Sequence, residues 1–396
     1  MSDLLKILFV LAIIVLLLKR RWNLGLVMVL SSVILAVLYL LKPLDFAVST
    51  YQAVSSKTTI TLMIILTLIR VFENVMRKNG LMQEMMDSFR GLVMDRRILM
   101  ASMPAIIGLL PSMGGAVFSA PLVDEASKGV NISPEKKAFI NYVFRHPWEF
   151  ISPLYPGLIL ASAITLHSVR DLIISNFFYA MFLVIGGIIW GLTGLDIHKD
   201  TFKKLSKKGL LSFLPIAAII LLFVVLDLDL SISLAIVVIV LYIVLKYTSK
   251  RIIESIKEGF SWEMVVIIIG VMTFKEVLNV SGAVENLSSF FSNEGIPILI
   301  VLFILPFLSG LLTGLTIGFV GAIFPILIGI EGAQNLPAIS FAFAAGYVGV
   351  LLSPVHLCLV LTREHFKAEM SGIYRNIIKV GVLIMGVAII QYYILT

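Results

Sequence analysis

The residues best suited to chemistry lie in an apolar stretch that prolines interrupt. The segment NYVFRHPWEFISPLYPG (141–157) carries Arg145, His146 and Glu149 among apolar residues. An ionisable side chain at membrane depth costs roughly 3 kcal/mol, so such residues indicate a functional site. The planar guanidinium group of Arg145 suits bidentate binding of a carboxylate or phosphate. We therefore expect Arg145 to bind an anionic substrate.

Other interpretations of these residues stay open. Arg145 and Glu149 are four residues apart, so they could form an internal salt bridge, and Arg145 could also extend to the cytoplasmic surface. A later segment, GYVGVLLSPVHLCLVL (346–361), carries Ser353 and His356 in a similar context. His146 and His356 could relay protons or donate to a substrate, or they could be packing residues.

Two further apolar stretches are broken by Gly, Ser, Thr and Pro. In the first, arms 100–110 and 116–127 flank the tip PSMGG, and in the second, arms 298–311 and 319–330 flank the tip TGLTIG. Each arm is too short to cross a bilayer, and irregular backbone at that depth is tolerated only inside protein or along a wet cavity. We therefore predict two re-entrant helical hairpins, the first entering from the cytoplasm and the second from outside.

The hairpin tips are predicted to hold a substrate and a cation. Helix N-termini at the tips offer N–H groups to an anion, and nearby hydroxyl and carbonyl oxygens suit sodium. The candidate substrate-binding residues are Ser112, Gly114, Gly115, Arg145, His146, Thr313, Gly314, Ser353 and His356. The candidate ion-binding residues are Asn74, Ser112, Ser119, Asn279, Thr313, Thr316 and Gly318. Alternatively, the small residues at the tips only allow close helix packing.

The elements that must position these residues are membrane-spanning helices. Of 396 residues, 59% are hydrophobic and only 14% are charged, and the mean hydropathy is +1.04. This composition predicts a polytopic membrane protein with about ten to twelve crossings. We interpret the segment 4–18 as a retained span because it lacks a basic start and a small-residue cleavage site. The net charge of +7 does not indicate nucleic-acid binding, since basic residues of membrane proteins mark cytoplasmic loops.

The distribution of basic residues predicts the orientation. Most of the 31 Lys and Arg residues lie in the segments 19–21, 70–97, 128–137, 199–208, 246–257 and 363–379. Under the positive-inside rule these segments are cytoplasmic. We therefore expect a multi-pass protein of the cell inner (cytoplasmic) membrane with both termini outside.

The chain is predicted to be an internal duplication. At a constant offset of 202, Phe72 matches Phe274, Pro104 matches Pro306, and GLL at 108–110 matches GLL at 310–312. Each copy has five crossings, an odd number, so the second must be inverted relative to the first. The first repeat spans 1–200, with scaffold helices 1–57, hairpin 96–128 and broken helix 138–166. The second spans 201–396, with scaffold helices 209–260, hairpin 296–331 and broken helix 336–361. The fold class is all-α.

The stretch GLLPSMGGAVFSAPLVDEA resembles the first hairpin of the gluconate-permease branch of the ion transporter superfamily. That superfamily also includes dicarboxylate/sodium symporters, citrate permeases, and sodium/proton and arsenite antiporters. PSMGG and TGLTIG stand where the dicarboxylate symporters have Ser-Asn-Thr tips. The resemblance implies a homodimer with an elevator movement. The first two spans of each copy would form the scaffold, and the hairpins with the fourth and fifth crossings would carry the substrate.

These features together favour a secondary active transporter of a small organic anion, coupled to sodium or protons. A cation/proton antiporter, with Glu149, Glu73 or Glu276 as proton carrier, is an alternative. An intramembrane enzyme using His146, Glu149 and His356 around a metal or lipid is another. HExxH, GxxxxGK[ST] and CxxC motifs are absent, so neither enzymatic activity nor a cofactor is expected. Sodium enters only as a candidate coupling ion, and the bilayer, the anion and a second copy are the expected partners.

Overall fold

The computed structural model describes residues 3–20, 22–92, 95–111, 115–196, 207–283, 296–330 and 332–396. Within these ranges the chain is built from helices and contains no β-strand. The prediction of an all-helical fold is confirmed.

The first half begins with five helices and ends with a hairpin, an interrupted helix and a long helix. The five are Asp3–Lys19, Leu24–Leu38, Pro43–Ser55, Lys57–Lys78 and Leu81–Leu92. The hairpin arms are Arg96–Gly108 and Ala116–Ala126. We call the next three pieces the first broken helix: Pro134–Val143, Trp148–Ile151 and Pro156–Thr165. The long helix is Val169–Gly187, which continues as a π-helical turn over Ile188–Leu192.

The second half also has a series of early helices, a hairpin, an interrupted helix and a long final helix. Its early helices are Lys207–Leu211, Leu214–Ile220 with the π-helical turn Leu221–Val225, Leu230–Val244, Ser249–Gly259 and Trp262–Val280. The arms of the second hairpin are Ile298–Thr313 and Thr316–Leu327. The second broken helix consists of Leu336–Leu351 and Leu357–Phe366, and the chain ends with Met370–Leu395.

Helix starts recur at matched positions in the two halves. Pro156–Thr165 and Leu357–Phe366 begin and end 201 residues apart, and the helices that start at Pro134 and Leu336 begin 202 residues apart. The residues before this second pair, Ser133 and Asn335, are both N-caps whose side chains accept a hydrogen bond from the first turn. Such caps fix where a helix begins, so the polar residue before each apolar run sets the boundary.

The second hairpin has a tighter tip than the sequence predicted. The predicted tip ran from Thr313 to Gly318, whereas only Gly314 and Leu315 lie between the two arms. Gly314 has φ +63 and its N–H donates to the Gly310 carbonyl, which ends the first arm in a left-handed cap. Leu315 is extended, and the second arm starts at Thr316. In the first hairpin, residues 112–114 lie outside the described residues.

Within the described residues, three helices are long and apolar enough to cross a membrane: Lys57–Lys78, Val169–Leu192 and Met370–Leu395. Other apolar helices of the described chain have 10–17 residues. Leu24–Leu38, for example, has 15 residues and so extends about 22 Å, less than the roughly 30 Å of a bilayer core. The apolar runs 138–166 and 336–361 look continuous in composition, but each is divided where prolines remove backbone donors.

The two halves pack reciprocally. Pro43–Ser55 of the first half packs against Trp262–Val280, and Ser249–Gly259 of the second half packs against Lys57–Lys78. Leu24–Leu38 crosses Trp262–Val280 with the backbones in contact, because a Cβ on Gly25 would lie 2.3 Å from the Val266 carbonyl oxygen. Small residues allow such close crossings between membrane helices.

Polar contacts at the helix ends join segments that the sequence assigned to the same side. On the predicted cytoplasmic side, Lys78 Nζ of segment 70–97 lies 2.5 Å from Oε1 of Glu258, the residue directly after segment 246–257. The Glu369 N–H of segment 363–379 donates to Glu135 of segment 128–137 at 3.3 Å. The N–H groups of Glu135 itself and of Glu369 hold the pKa of the Glu135 carboxyl below its usual range. Among the segments predicted to be outside, Arg170 Nη1 lies 2.8 Å from Asp227 Oδ1. His167 Nε2 lies 2.9 Å from the Gln334 carbonyl oxygen.

Candidate functional site

The breaks in the two broken helices meet at the ends of the two hairpins. The first break runs from Phe144 to Tyr155 and contains the short helix Trp148–Ile151, while the second runs only from Leu352 to His356. Tyr155 and His356 occupy equivalent positions, each directly before the last piece of its helix. The side chains at these breaks therefore converge in the protein interior.

Two histidines face each other at this point. His146 Nε2 lies 3.0 Å from His356 Nε2. His146 Nδ1 lies 2.5 Å from the Tyr142 carbonyl oxygen, and His356 Nδ1 lies 2.6 Å from the Gly314 carbonyl oxygen. A carbonyl oxygen can only accept, so both rings donate through Nδ1 and direct Nε2 towards the other histidine. Both side chains are buried.

A thiol and a guanidinium group complete the interior of the site. The Cys358 thiol lies near both imidazoles and is buried. The ligand atoms of His146, His356 and Cys358 all lie within 4.8 Å of one another. Arg145 is only 4% exposed. The Tyr142 ring forms one wall, with its centroid 4.4 Å from the ring of His146 and 5.6 Å from that of His356.

Glu149 connects this interior to the second hairpin. Its Oε1 lies 3.9 Å from His146 Nε2, and its Oε2 accepts a hydrogen bond from the hydroxyl of Thr316. Gly157 allows the approach, since a Cβ there would lie 2.4 Å from the Thr316 methyl carbon. We use the name central cluster for Arg145, His146, Glu149, His356 and Cys358.

Tyrosine hydroxyls fasten the breaks to each other and to the first hairpin. Tyr347 donates to the His146 carbonyl oxygen at 2.9 Å, and Tyr142 donates to the Leu351 carbonyl oxygen at 3.1 Å. Tyr155 donates to the carbonyl oxygen of Gly108, the last residue of the first arm. The central cluster is therefore hydrogen-bonded to the two broken helices and the second hairpin, and Tyr155 links the first break to the first hairpin.

Several of the residues proposed from sequence come together here. The Ser353 hydroxyl lies beside Gly314, because a Cβ on Gly314 would be 2.9 Å from it. Thr313 donates instead to the Ser309 carbonyl oxygen at 2.8 Å, and Gly318 packs against Thr313. The structure brings together Arg145, His146, Gly314, Thr316, Ser353 and His356.

Other proposed residues sit elsewhere or have local partners. Gly115 and Ser119 open the second arm of the first hairpin, where the Ser119 hydroxyl contacts the Gly115 and Ala116 carbonyl oxygens. The Asn74 amide oxygen accepts from Arg77 at 2.8 Å. Asn279 is exposed near the end of its helix. Within the described chain neither asparagine side chain hydrogen-bonds to the central cluster. Ser112 and Gly114 lie outside the described residues.

Sequence reasoning missed Cys358 and the tyrosines. Cys358 stands in an apolar run, which is typical of a packing residue, yet it follows His356 by two positions at a helix break. That spacing was the available signal. Tyr142, Tyr155 and Tyr347 have no distinguishing sequence context, since their roles depend on which carbonyl groups the fold leaves without a helical partner.

The arrangement offers two kinds of binding. Two imidazole nitrogens, a thiol and a carboxylate suit a soft cation, and Arg145 suits an anion. No curated protein matches the chain in sequence. Residues 1–395 match the family described as "Protein of unknown function (DUF401)", and the chain belongs to that family.

Proposed function

We propose that the chain is a secondary active transporter that moves a small organic anion across the cytoplasmic membrane. The observation that carries this proposal is the meeting of two hairpins and two broken helices around one buried, charged cluster. Secondary transporters bind substrate and ion near the bilayer midplane at such interrupted helices. The three long apolar helices and the low charge content support a membrane location.

An inverted repeat is part of the proposal. Matched helix boundaries at offsets of 201 and 202 support a duplication, and the reciprocal packing of the early helices is what a pseudo-two-fold axis produces. The end contacts support the assignment of sides, because they join segments of like predicted location. The hairpins would then be re-entrant and would open from opposite sides.

In the proposed mechanism, Arg145 neutralises the anion and the ends of the second hairpin shape its site. The guanidinium group of Arg145 lies in a low-dielectric interior, where it would bind a carboxylate strongly. Gly314, Thr316 and Ser353 would line the site from the other half. The hairpins, broken helices and long helices would slide as one body past the scaffold of a homodimer, in an elevator movement coupled to sodium or protons.

A cation/proton antiporter is the second candidate, and Glu149 favours it. This carboxylate is 13% exposed, and its two oxygens lie near His146 and Thr316 respectively. A carboxylate so placed could exchange a proton for a cation as the site changes its access. In that case no organic anion would bind.

The test is the thermal stability of the purified protein in detergent, in sodium or potassium, across mono- and dicarboxylates and sugar acids. A ligand that binds the native state raises the Tm by mass action, about 2.7 kcal/mol of stabilisation at 100 times its Kd. A rise with one acid class, strengthened by sodium or by low pH, supports anion symport. If the Tm rises with sodium or with a change of pH alone, and no acid changes it, the result supports the antiporter.

A further inference from the structure

We propose that His146, His356, Cys358 and Glu149 form a binding site for one thiophilic divalent cation, of which zinc is the type. The site would lie in the central cluster, where the breaks of the two broken helices meet. The proposal departs from the sequence-based expectation that the chain has no resident metal. It does not rest on transport, since it concerns what these four side chains bind.

The first support is the orientation of the imidazoles. Zinc-binding histidines almost always donate their second ring N–H to a carbonyl or carboxylate group, which fixes the ring and directs the other nitrogen at the metal. Both histidines here make that bond, from Nδ1 to the carbonyl oxygens of Tyr142 and Gly314. Two neutral rings in this state would direct two Nε2 lone pairs at each other across 3.0 Å. A cation between the nitrogens removes that repulsion.

The second support is the distance between the donor atoms. Tetrahedral zinc with Zn–N bonds of about 2.0–2.1 Å places two nitrogens about 3.3 Å apart, close to the 3.0 Å observed here. Cys358 supplies a sulfur within the same 4.8 Å group. Glu149 Oε1 lies 3.9 Å from His146 Nε2 but outside that group, so it would shift towards the metal to become the fourth donor. The Thr316 hydroxyl binds its other carboxylate oxygen.

The third support is charge. On binding, the metal displaces the thiol proton of Cys358, which leaves to solvent, and a metal–thiolate bond forms. A divalent cation with one thiolate, one carboxylate and two neutral imidazoles has no net charge. A neutral centre is far less costly at membrane depth than an isolated ion.

The site would fix two elements that belong to different halves of the chain. His146 and Glu149 come from the first broken helix, and His356 and Cys358 from the second. Both helices belong to the body proposed to move, so the metal would travel with it. Metal binding and alternating access are therefore compatible.

The test uses the full-length protein produced in cells grown with cobalt, so that the site is loaded as the chain folds. We expect about one cobalt per chain by elemental analysis, a tetrahedral visible spectrum, and a sulfur-to-cobalt charge-transfer band in the near ultraviolet. Cys358 is the only cysteine in the sequence, so that band reports on it alone. The same protein grown with zinc should hold about one zinc per chain.

Cys358→Ser should abolish the charge-transfer band while the protein stays monodisperse, because the change is nearly isosteric. His146→Asn combined with His356→Asn should reduce the bound metal by roughly 100-fold or more. His365→Asn is the matched control, since His365 is exposed, packs edge-on against Phe366 and lies outside the cluster. Metal-free wild-type protein, or a cobalt spectrum and content unchanged in Cys358→Ser and in the double variant, would overturn the proposal.

Discussion

The two hairpins pack against the broken helices of their own halves through different contacts. In the second, the arm Ile298–Thr313 touches Leu336–Leu351 backbone to backbone, since a Cβ on Gly310 would lie 2.0 Å from the Gly346 carbonyl oxygen. Gly349 repeats the contact, with a Cβ position 2.2 Å from the Phe307 carbonyl oxygen. In the first, the arm ends at Gly108 against the carbonyl oxygen of Arg145, directly in the polar break.

This difference indicates that the two halves contribute differently to the site. The second half provides a tight glycine-lined contact, and its break is five residues long. The first half has a longer break, from Phe144 to Tyr155, and it supplies the arginine and the carboxylate of the central cluster. We infer that the second half fixes the position of the backbone around the site, and that the first half supplies most of the charged side chains.

The largest effect is expected from filling the glycine contact. Gly310→Val would place three carbons where the backbone of Leu336–Leu351 already lies, and overpacking at rigid backbone costs about 3 kcal/mol or more. We expect little or no monodisperse protein on size-exclusion chromatography. Gly386→Val is the matched control, because a Cβ at Gly386 meets nothing within 4 Å. Equal yields of the two variants would show that the backbones are not in contact.

The next effect concerns charge rather than packing. Arg145→Ala should abolish the rise in Tm that the anion causes. It should also reduce transport of the anion by at least about 100-fold, because breaking a buried charge pair costs about 3 kcal/mol. The Tm without ligand should change little. Arg170→Ala, at an exposed arginine, is the control for loss of a positive charge. Loss of folding in Arg145→Ala alone would mean that Arg145 serves a structural salt bridge instead.

A smaller effect is expected where the halves meet through a hydroxyl. Thr316→Val removes the hydrogen bond to Glu149 and should lower stability by about 1.5–3 kcal/mol, as for bonds to charged groups. Thr316→Ser keeps the hydroxyl and should retain most of that stability. If Thr316 also binds sodium, Thr316→Ala and Ser112→Ala weaken the apparent sodium affinity. Unchanged sodium dependence in both would exclude an ion site at the tips.

The smallest effect is expected at the outer surface. Arg170 and Asp227 form an ion pair whose side chains are 41% and 75% exposed. Exposed pairs contribute about 0–1 kcal/mol. Asp227→Asn should therefore leave the Tm and transport almost unchanged in low salt and in high salt. A large loss would mean that this contact holds the two halves together.

The sequence was informative wherever a local rule decides the structure. Prolines and glycines predicted the breaks at Pro147 and Pro354 and the arms that start at Ala116 and Ile298. The second broken helix starts at Leu336 as predicted, whereas the first starts at Pro134, four residues before the predicted 138, because Ser133 is its N-cap. These features depend on caps and missing backbone donors, which act within a few residues.

The central cluster was predictable only in part, because it depends on contacts between residues far apart in the chain. Arg145, His146 and His356 stand out as ionisable residues in apolar runs. Cys358 does not, and its meeting with His146 requires both halves to fold together. The Asn74 and Asn279 ion site was inferred from nearness in sequence, but their side chains point to no shared partner within the described chain.

The most direct measurement of the central claim, two inverted copies that meet at one site, is the labelling of single cysteines from each side of the membrane. In a Cys358→Ser background, Lys128→Cys follows the first hairpin and Gln334→Cys follows the second; both positions are exposed. We expect a membrane-impermeant maleimide to label Gln334→Cys in intact cells, and Lys128→Cys only in inverted membrane vesicles. Labelling of both positions from the same side would contradict the inverted repeat.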